Sequence, residues 1–70
     1  MAKLYIIHSS GHGSVTIEGS IQECLEHKHK VRAFFEEKGY LCHDEEGYTI
    51  CLNSPFNRYF IYCVEGGPDS

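Results

Sequence analysis

The chain's one long helix is predicted over Ser20–Lys38, whose sequence is SIQECLEHKHKVRAFFEEK. Ser20 and Glu23 have the spacing of a capping box, in which each side chain accepts a hydrogen bond from the backbone amide of the other residue. Gly39 follows the stretch directly and can adopt the left-handed conformation that ends a helix. Local sequence therefore predicts both ends of this helix.

Apolar residues recur along the helix at steps of three and four, which predicts that one face packs on the rest of the protein. Lys28 falls within this apolar stripe, where its stem is expected to pack while its ammonium group reaches solvent. The stripe consists of Ile21, Cys24, Leu25, Val31 and Phe35, with Phe34 at one edge and Tyr40, after the helix, packing back on Phe35.

The other segments are short and rich in strand-forming residues. The first of them lacks polar alternation, which is typical of an interior strand with both faces covered. Together they predict an α+β two-layer fold, with one long helix packed on a mainly antiparallel sheet of four to five short strands. Residues 1–65 are expected to form a single domain and residues 66–70 a flexible tail. The predicted strands are Lys3–His8, Val15–Glu18, Tyr40–His43, Tyr48–Leu52 and a last strand from Tyr59 to Val64 or Glu65, preceded by a turn around Pro55.

A hairpin is expected around the acidic segment Asp44-Glu45-Glu46-Gly47. A three-residue loop ending in Gly47 pairs Asp44 with Tyr48. This register, followed by a four-residue loop, assigns every strand residue after the helix to one of two faces. The helix-facing set is Tyr40, Cys42, Tyr48, Ile50, Leu52, Tyr59, Ile61 and Cys63. The bare-face set is Leu41, His43, Thr49, Cys51, Phe60, Tyr62 and Val64.

Length and charge limit the classes of function. Chains near 70 residues bury only about 60% of their unfolded surface, so a partner or self-association often adds stability. The net charge of −4 argues against a general binder of nucleic-acid backbones. It favours a basic protein partner, because complementary charge speeds encounter.

No apolar run is long enough for a signal peptide or a membrane span. Without an export signal, we expect a cytoplasmic protein, in the host cell if the source is viral, whose four cysteines are free thiols. The cysteines contain no Cys-x-x-Cys pair of the kind that marks zinc sites.

Catalysis has a single candidate pair, Cys51 with His43, which the expected register makes diagonal neighbours on the bare face. An open sheet face offers no pocket that excludes water, so we expect no enzyme activity and no cofactor. The glycine-containing loop Ser9–Ser14 is interpreted as a flexible turn, because it lacks the rest of a nucleotide-binding motif.

The alternative function is a small metal- or RNA-binding accessory module. A metal site would have to combine distant ligands such as Cys24, His27 and His8. RNA binding would use Phe60 and Tyr62 as a stacking pair on the sheet, although the acidic charge disfavours direct nucleic-acid binding.

The leading hypothesis is a non-catalytic protein-binding inhibitor or adaptor. The bare face has more exposed apolar and aromatic surface than a small monomer usually has. The hairpin tip would project carboxylates beside this face. The alternatives for this face are a homodimer contact or coverage by the Val15–Glu18 strand and the tail. The predicted partner-binding residues are Asp44, Glu45 and Glu46 at the tip and Leu41, His43, Phe60 and Tyr62 on the bare face.

In its small size, acidic charge, single helix on a short meander and lack of motifs, the chain resembles small phage-encoded inhibitors of the anti-CRISPR kind. The resemblance is one of general character over the whole chain, so no functional residue carries over. It implies a protein that occupies a surface of a nucleic-acid-binding complex, with acidic side chains where phosphates would lie.

Overall fold

The computed structural model describes residues 1–65. These residues form β1 (Ala2–His8), β2 (Gly13–Gly19), α1 (Ile21–Glu37), β3 (Leu41–Glu45), β4 (Tyr48–Ser54) and β5 (Asn57–Glu65). The five strands make one antiparallel sheet in the order β2-β1-β5-β4-β3, and α1 packs on one of its faces. The predicted α+β two-layer fold is confirmed. The tail predicted at residues 66–70 lies outside the described residues.

Both predicted ends of α1 are confirmed. Glu23 N–H donates to Ser20 Oγ (3.1 Å) and Ser20 N–H donates to Glu23 Oε1 (2.9 Å), which completes the capping box. The Ser20 backbone hydrogen bond is the main cause that lowers the pKa of Glu23. At the other end Gly39 has φ 95°, in the left-handed region that glycine adopts without strain.

The apolar stripe of α1 is narrower in the structure than the sequence predicts. Cys24 and Phe35 are buried, but Leu25 and Phe34 keep 43% and 53% of their surface exposed. The Phe35 ring packs against Tyr40 and Tyr59, with centroids 4.9 and 4.8 Å away. This aromatic cluster joins the helix to the sheet.

β1 is an interior strand, as predicted, because it pairs with β2 on one side and with β5 on the other. Ala2 and Leu4 point toward α1 and are fully buried. Tyr5 and Ile7 point the other way and are half-buried. The expectation that both faces of β1 are covered is therefore wrong for residues 1–65, because α1 covers one face of the sheet and no other element of this range covers the other.

The β3–β4 hairpin differs from the prediction by one residue. Glu45, and not Asp44, pairs with Tyr48, so the turn is the two-residue Glu46-Gly47. Gly47 has φ 86° and Glu46 has no positive φ. A positive φ at the third corner is the geometry of a type II turn, which requires glycine there.

This shift reverses the two faces of β4, because neighbouring strand residues point to opposite sides. Thr49 and Cys51 are fully buried beneath α1, whereas Tyr48, Ile50 and Leu52 lie on the uncovered face. The predicted faces of β4 are wrong, while those of β3 and β5 agree with the structure. On the covered face Cys51 lies opposite Tyr59, whose ring packs against Phe35 of α1.

The core between the layers is small. Its fully or nearly fully buried apolar residues are Ala2, Leu4, Cys24, Phe35, Cys51 and Ile61, with Ile6, Ile17, Val31, Tyr40, Cys42, Tyr59 and Cys63 packed around them.

Candidate interaction surface

The sheet face opposite α1, which we call the open face, has no element of residues 1–65 packed over it. Leu41, at the edge of this face, is 72% exposed. The residues at the centre of the face are half-buried by contact with one another. β2, which was considered as a cover for it, is instead an edge strand of the same sheet. The apolar residues of the open face are Tyr5, Ile7, Val15, Leu41, Tyr48, Ile50, Leu52, Phe60, Tyr62 and Val64.

Aromatic rings lie at the centre of the open face. Tyr5 and Tyr62 are directly opposite on β1 and β5, and their rings stack with centroids 5.3 Å apart and an interplanar angle of 16°. Phe60 lies between Ile7 of β1 and Ile50 of β4. Cross-strand contacts of this kind hold the side chains in place, so the surface is ordered before any partner binds.

A hollow of about 390 Å³ opens at this centre, lined by Ile7, Gly47, Tyr48, Phe60 and Tyr62. Its exposed lining is apolar. Gly47 reaches the lining because the short turn lies at the end of β4 beside Tyr48. The hollow is shallow and apolar, which suits contact with an apolar side chain of another molecule.

Charged groups surround the apolar centre. Lys3 and Glu18 form an ion pair with 3.9 Å between Nζ and Oε2 at one corner. His43 Nε2 lies 3.3 Å from Glu45 Oε2 at the opposite edge. Arg58 stands beside Leu52 at the far end of β5. An apolar centre with a polar rim is the common anatomy of a protein–protein interface.

The predicted partner-binding residues divide between two sides of the molecule. Leu41, His43, Phe60 and Tyr62 lie on the open face, and Glu45 lies at its rim. Glu46 is exposed in the turn.

Asp44 points to the helix side. Arg32 Nη1 donates to its Oδ2 and Thr49 Oγ1 donates to its Oδ1, each at 2.7 Å. The Thr49 hydrogen bond, together with Arg32, lowers the pKa of Asp44. The three acidic residues thus do not form one projecting group, and Asp44 is a structural carboxylate.

The faces predicted from the sequence leave out six of the ten apolar residues of the open face. The predicted register assigns Tyr48 and Ile50 to the helix side, and the interpretation of β1 as covered on both faces leaves out Tyr5 and Ile7. A signal for β1 was present in its spacing, because Ala2, Leu4 and Ile6 alternate with Lys3, Tyr5 and Ile7. The assignment of β4 had no such local signal.

The candidate catalytic pair is not formed. Cys51 is fully buried under α1, whereas His43 is opposite Ile50 on the open face. Their side chains therefore point to opposite sides of the sheet.

A second hollow, of about 440 Å³, lies at the Ser9–Ser14 loop and is lined in part by His8, Ser10 and His12. Both ring nitrogens of His8 already have partners: Nε2 donates to Asn57 Oδ1 (2.7 Å) and Nδ1 accepts from the Ser10 hydroxyl (2.9 Å). The amide group of Asn57 donates to Tyr40 Oη (3.0 Å), so its oxygen faces His8. This network ties the loop to β5 and leaves His8 no free nitrogen for a ligand.

Within residues 1–65, no three His, Cys, Asp or Glu side chains come close enough together to hold a metal ion. The described part of the chain also has no helix of the length and hydropathy needed to cross a membrane. Comparison with known proteins gives no matching family model, no matching curated protein and no matching solved structure.

Proposed function

We propose that this chain is a non-catalytic protein-binding inhibitor or adaptor that docks its open face on another protein. In its concrete form it is a phage anti-defence protein, resembling the anti-CRISPR kind, that blocks a nucleic-acid-binding complex. The observation that supports docking is the apolar hollow among Tyr48, Phe60 and Tyr62 at the centre of an uncovered sheet face. A few aromatic anchors around a central pocket supply most of the binding energy in many interfaces.

Charge supports a basic partner. The chain has ten acidic and six basic residues. Glu45 lies at the rim of the open face, and Glu46 lies in the adjoining turn. Rim charges act mainly on the rate of association and its salt dependence, while central aromatic residues act mainly on dissociation. Asp44 is excluded from this role by its contacts with Arg32 and Thr49.

The partner should be captured from the native host with the parent protein and with Tyr62→Ala, and then measured by surface plasmon resonance at two salt concentrations. Truncating an interface anchor commonly costs about 2 kcal/mol or more, so Tyr62→Ala should speed dissociation roughly 30-fold. Phe34→Ala is the matched control, because Phe34 is a half-exposed aromatic residue on the helix and far from the open face. It should bind as the parent does.

The double change Glu45→Ser with Glu46→Ser should slow association and flatten its salt dependence. Asp44 is kept, because its removal would also disturb Arg32 and Thr49. Binding by Tyr62→Ala that equals binding by the parent would exclude the open face. Capture of RNA in place of a protein would support the alternative accessory module, and recovery of the chain alone would support a homodimer.

A further inference from the structure

Cys42 of β3 and Cys51 of β4 are directly opposite each other in the antiparallel hairpin. Opposed residues in such a ladder have Cα atoms about 4.5 or about 5.5 Å apart, depending on whether the pair is hydrogen-bonded. Both separations fall within the range of about 4.4–6.8 Å that a disulfide bond spans. The two side chains also point to the same side of the sheet, so the paired backbone positions are compatible with a bond between the sulfurs.

The two thiols differ in their surroundings. Cys51 is fully buried, and burial, followed by the hydrogen bond with the Cys42 thiol, raises the pKa of Cys51 to about 12. Cys42 is only half-buried, and its thiol makes a weak contact of 3.9 Å with the Arg32 carbonyl oxygen. A small oxidant from solvent therefore meets Cys42 first, with the protonated Cys51 thiol directly behind it.

The other two cysteines lack this arrangement. Cys24 belongs to α1 and Cys63 to β5. They therefore face each other across the interface of helix and sheet and are not paired residues of neighbouring strands. Burial is the main cause that raises the pKa of Cys63, and Cys24 nearby adds to it. No backbone pairing holds these two sulfurs at a fixed separation.

We propose that Cys42 and Cys51 are a modification site, a dithiol that hydrogen peroxide converts into a reversible disulfide within the chain. The Cys42 thiolate attacks one peroxide oxygen, the O–O bond breaks, and Cys42 becomes a sulfenic acid while hydroxide leaves and takes up a proton as water. The Cys51 sulfur then attacks the Cys42 sulfur, the S–O bond breaks, and hydroxide leaves with the Cys51 proton as a second water. Two thiols lose two electrons and the peroxide gains them. A dithiol reductant reverses the bond by thiol–disulfide exchange.

The bond joins the edge strand β3 to β4 and closes residues 42–51 into a ring. That ring contains the Glu46-Gly47 turn and holds the register that keeps His43 and Glu45 on the open face. Reversible disulfides of this kind are the form usually seen in reducing compartments, where they act in redox sensing. The proposal is independent of any partner of the open face.

The test treats the full chain with hydrogen peroxide, blocks the remaining thiols by alkylation and digests the product with trypsin. Cleavage at Lys38 and Arg58 releases residues 39–58, a peptide that contains Cys42 and Cys51 but neither of the other cysteines. This peptide should lose the mass of two hydrogen atoms, and denatured protein should keep two of its four thiols. Dithiothreitol should restore all four.

Variants separate the roles of the two sulfurs. Cys51→Ser should leave Cys42 as a sulfenic acid that a 1,3-diketone reagent traps, and Cys42→Ser should form no bridge. Cys63→Ser is the matched control and should still form the bridge in residues 39–58. The proposal is overturned if the parent forms a bridge to Cys24 or Cys63, a bridge between two chains, or a sulfinic acid on Cys42 without any bridge. The parent's peptide map decides this even if a variant fails to fold.

Discussion

Phe35 is the residue through which the helix holds the sheet. Its ring lies 4.8 Å from that of Tyr59 on β5 and 4.9 Å from that of Tyr40 at the start of the hairpin. Its neighbour Phe34 has the same side chain but is 53% exposed. Comparing substitutions at these two neighbouring positions of α1 therefore measures the effect of burial for the same aromatic side chain.

Phe35→Ala should lower the free energy of unfolding by about 3–5 kcal/mol, the usual cost of removing a buried phenylalanine. In a domain with so small a core, this loss is expected to leave little folded protein. Phe34→Ala should cost much less, because its ring is already largely in water. Urea denaturation followed by circular dichroism measures both. Equal losses for the two variants would contradict the observed helix face.

Asp44 is the second residue whose role is clear at this scale. Its two carboxylate oxygens accept hydrogen bonds from Thr49 and Arg32, which link β4 and α1 to β3. These contacts favour the charged form and lower its pKa, with the Thr49 bond as the largest cause. Stability from Asp44 is therefore fully present above the unfolded carboxyl pKa of about 3.9 and is lost as pH falls through the lower folded value.

Asp44→Asn should be less stable than the parent at neutral pH, and the difference should shrink as the pH falls below about 4. In a Thr49→Val background the pH-dependent part should be smaller, because the largest cause of the shift has been removed. Denaturation midpoints measured at a series of pH values test this. A stability difference between the parent and Asp44→Asn that grows on acidification would contradict a lowered pKa of Asp44 in the folded protein.

At the scale of elements, the β3–β4 hairpin determines what the molecule exposes. Its two-residue turn puts Thr49 and Cys51 under α1 and sends Tyr48, Ile50 and Leu52 to the open face. A shift of one residue would exchange these two sets.

Thr49→Lys and Ile50→Lys test this register directly. Thr49→Lys would force a long charged side chain into the fully buried position beneath α1 and would remove the hydrogen bond to Asp44, so it should abolish folding. Ile50→Lys should fold, because its ammonium group reaches solvent on the open face. Circular dichroism and thermal melting distinguish the two variants. The reverse result, a folded Thr49→Lys and an unfolded Ile50→Lys, would contradict the two-residue turn and support the three-residue loop predicted from the sequence.

At the scale of the whole molecule, residues 1–65 leave one apolar sheet face uncovered, and net charge helps to keep copies of the chain apart. The charge is −4 at pH 7, and the isoelectric point is near 5.6. Repulsion between copies disappears near that pH, and association through apolar surface is then favoured.

We expect the parent to associate as the pH approaches 5.6, and Phe60→Lys to associate less than Phe34→Lys at the same pH. Both variants add one positive charge, but only Phe60 lies at the centre of the open face. Sedimentation velocity at matched concentrations measures the difference. Identical behaviour of the two variants would mean that charge alone, and not the open face, controls association.

Several features could be predicted from the sequence because their causes are local. The capping box at Ser20 and Glu23 and the left-handed Gly39 depend on residues within one helical turn of each other. The turn at Pro55 and the alternation of Phe60 and Tyr62 with Ile61 also follow from neighbouring residues. These signals are sufficient for the fold class, the approximate strand positions and four of the apolar residues of the open face, which are Leu41, Phe60, Tyr62 and Val64.

The register of the β3–β4 hairpin was decided by tertiary structure. Gly47 provides the left-handed residue in either a two-residue or a three-residue loop, so the turn sequence does not distinguish them. On the covered face of β4 the small side chains of Thr49 and Cys51 are fully buried, and Tyr59, opposite Cys51, packs on Phe35. The hydrogen bonds of Asp44 with Arg32 and Thr49 stabilise this arrangement. These contacts join residues from the helix and three strands, and the apolar centre of the open face depends on them.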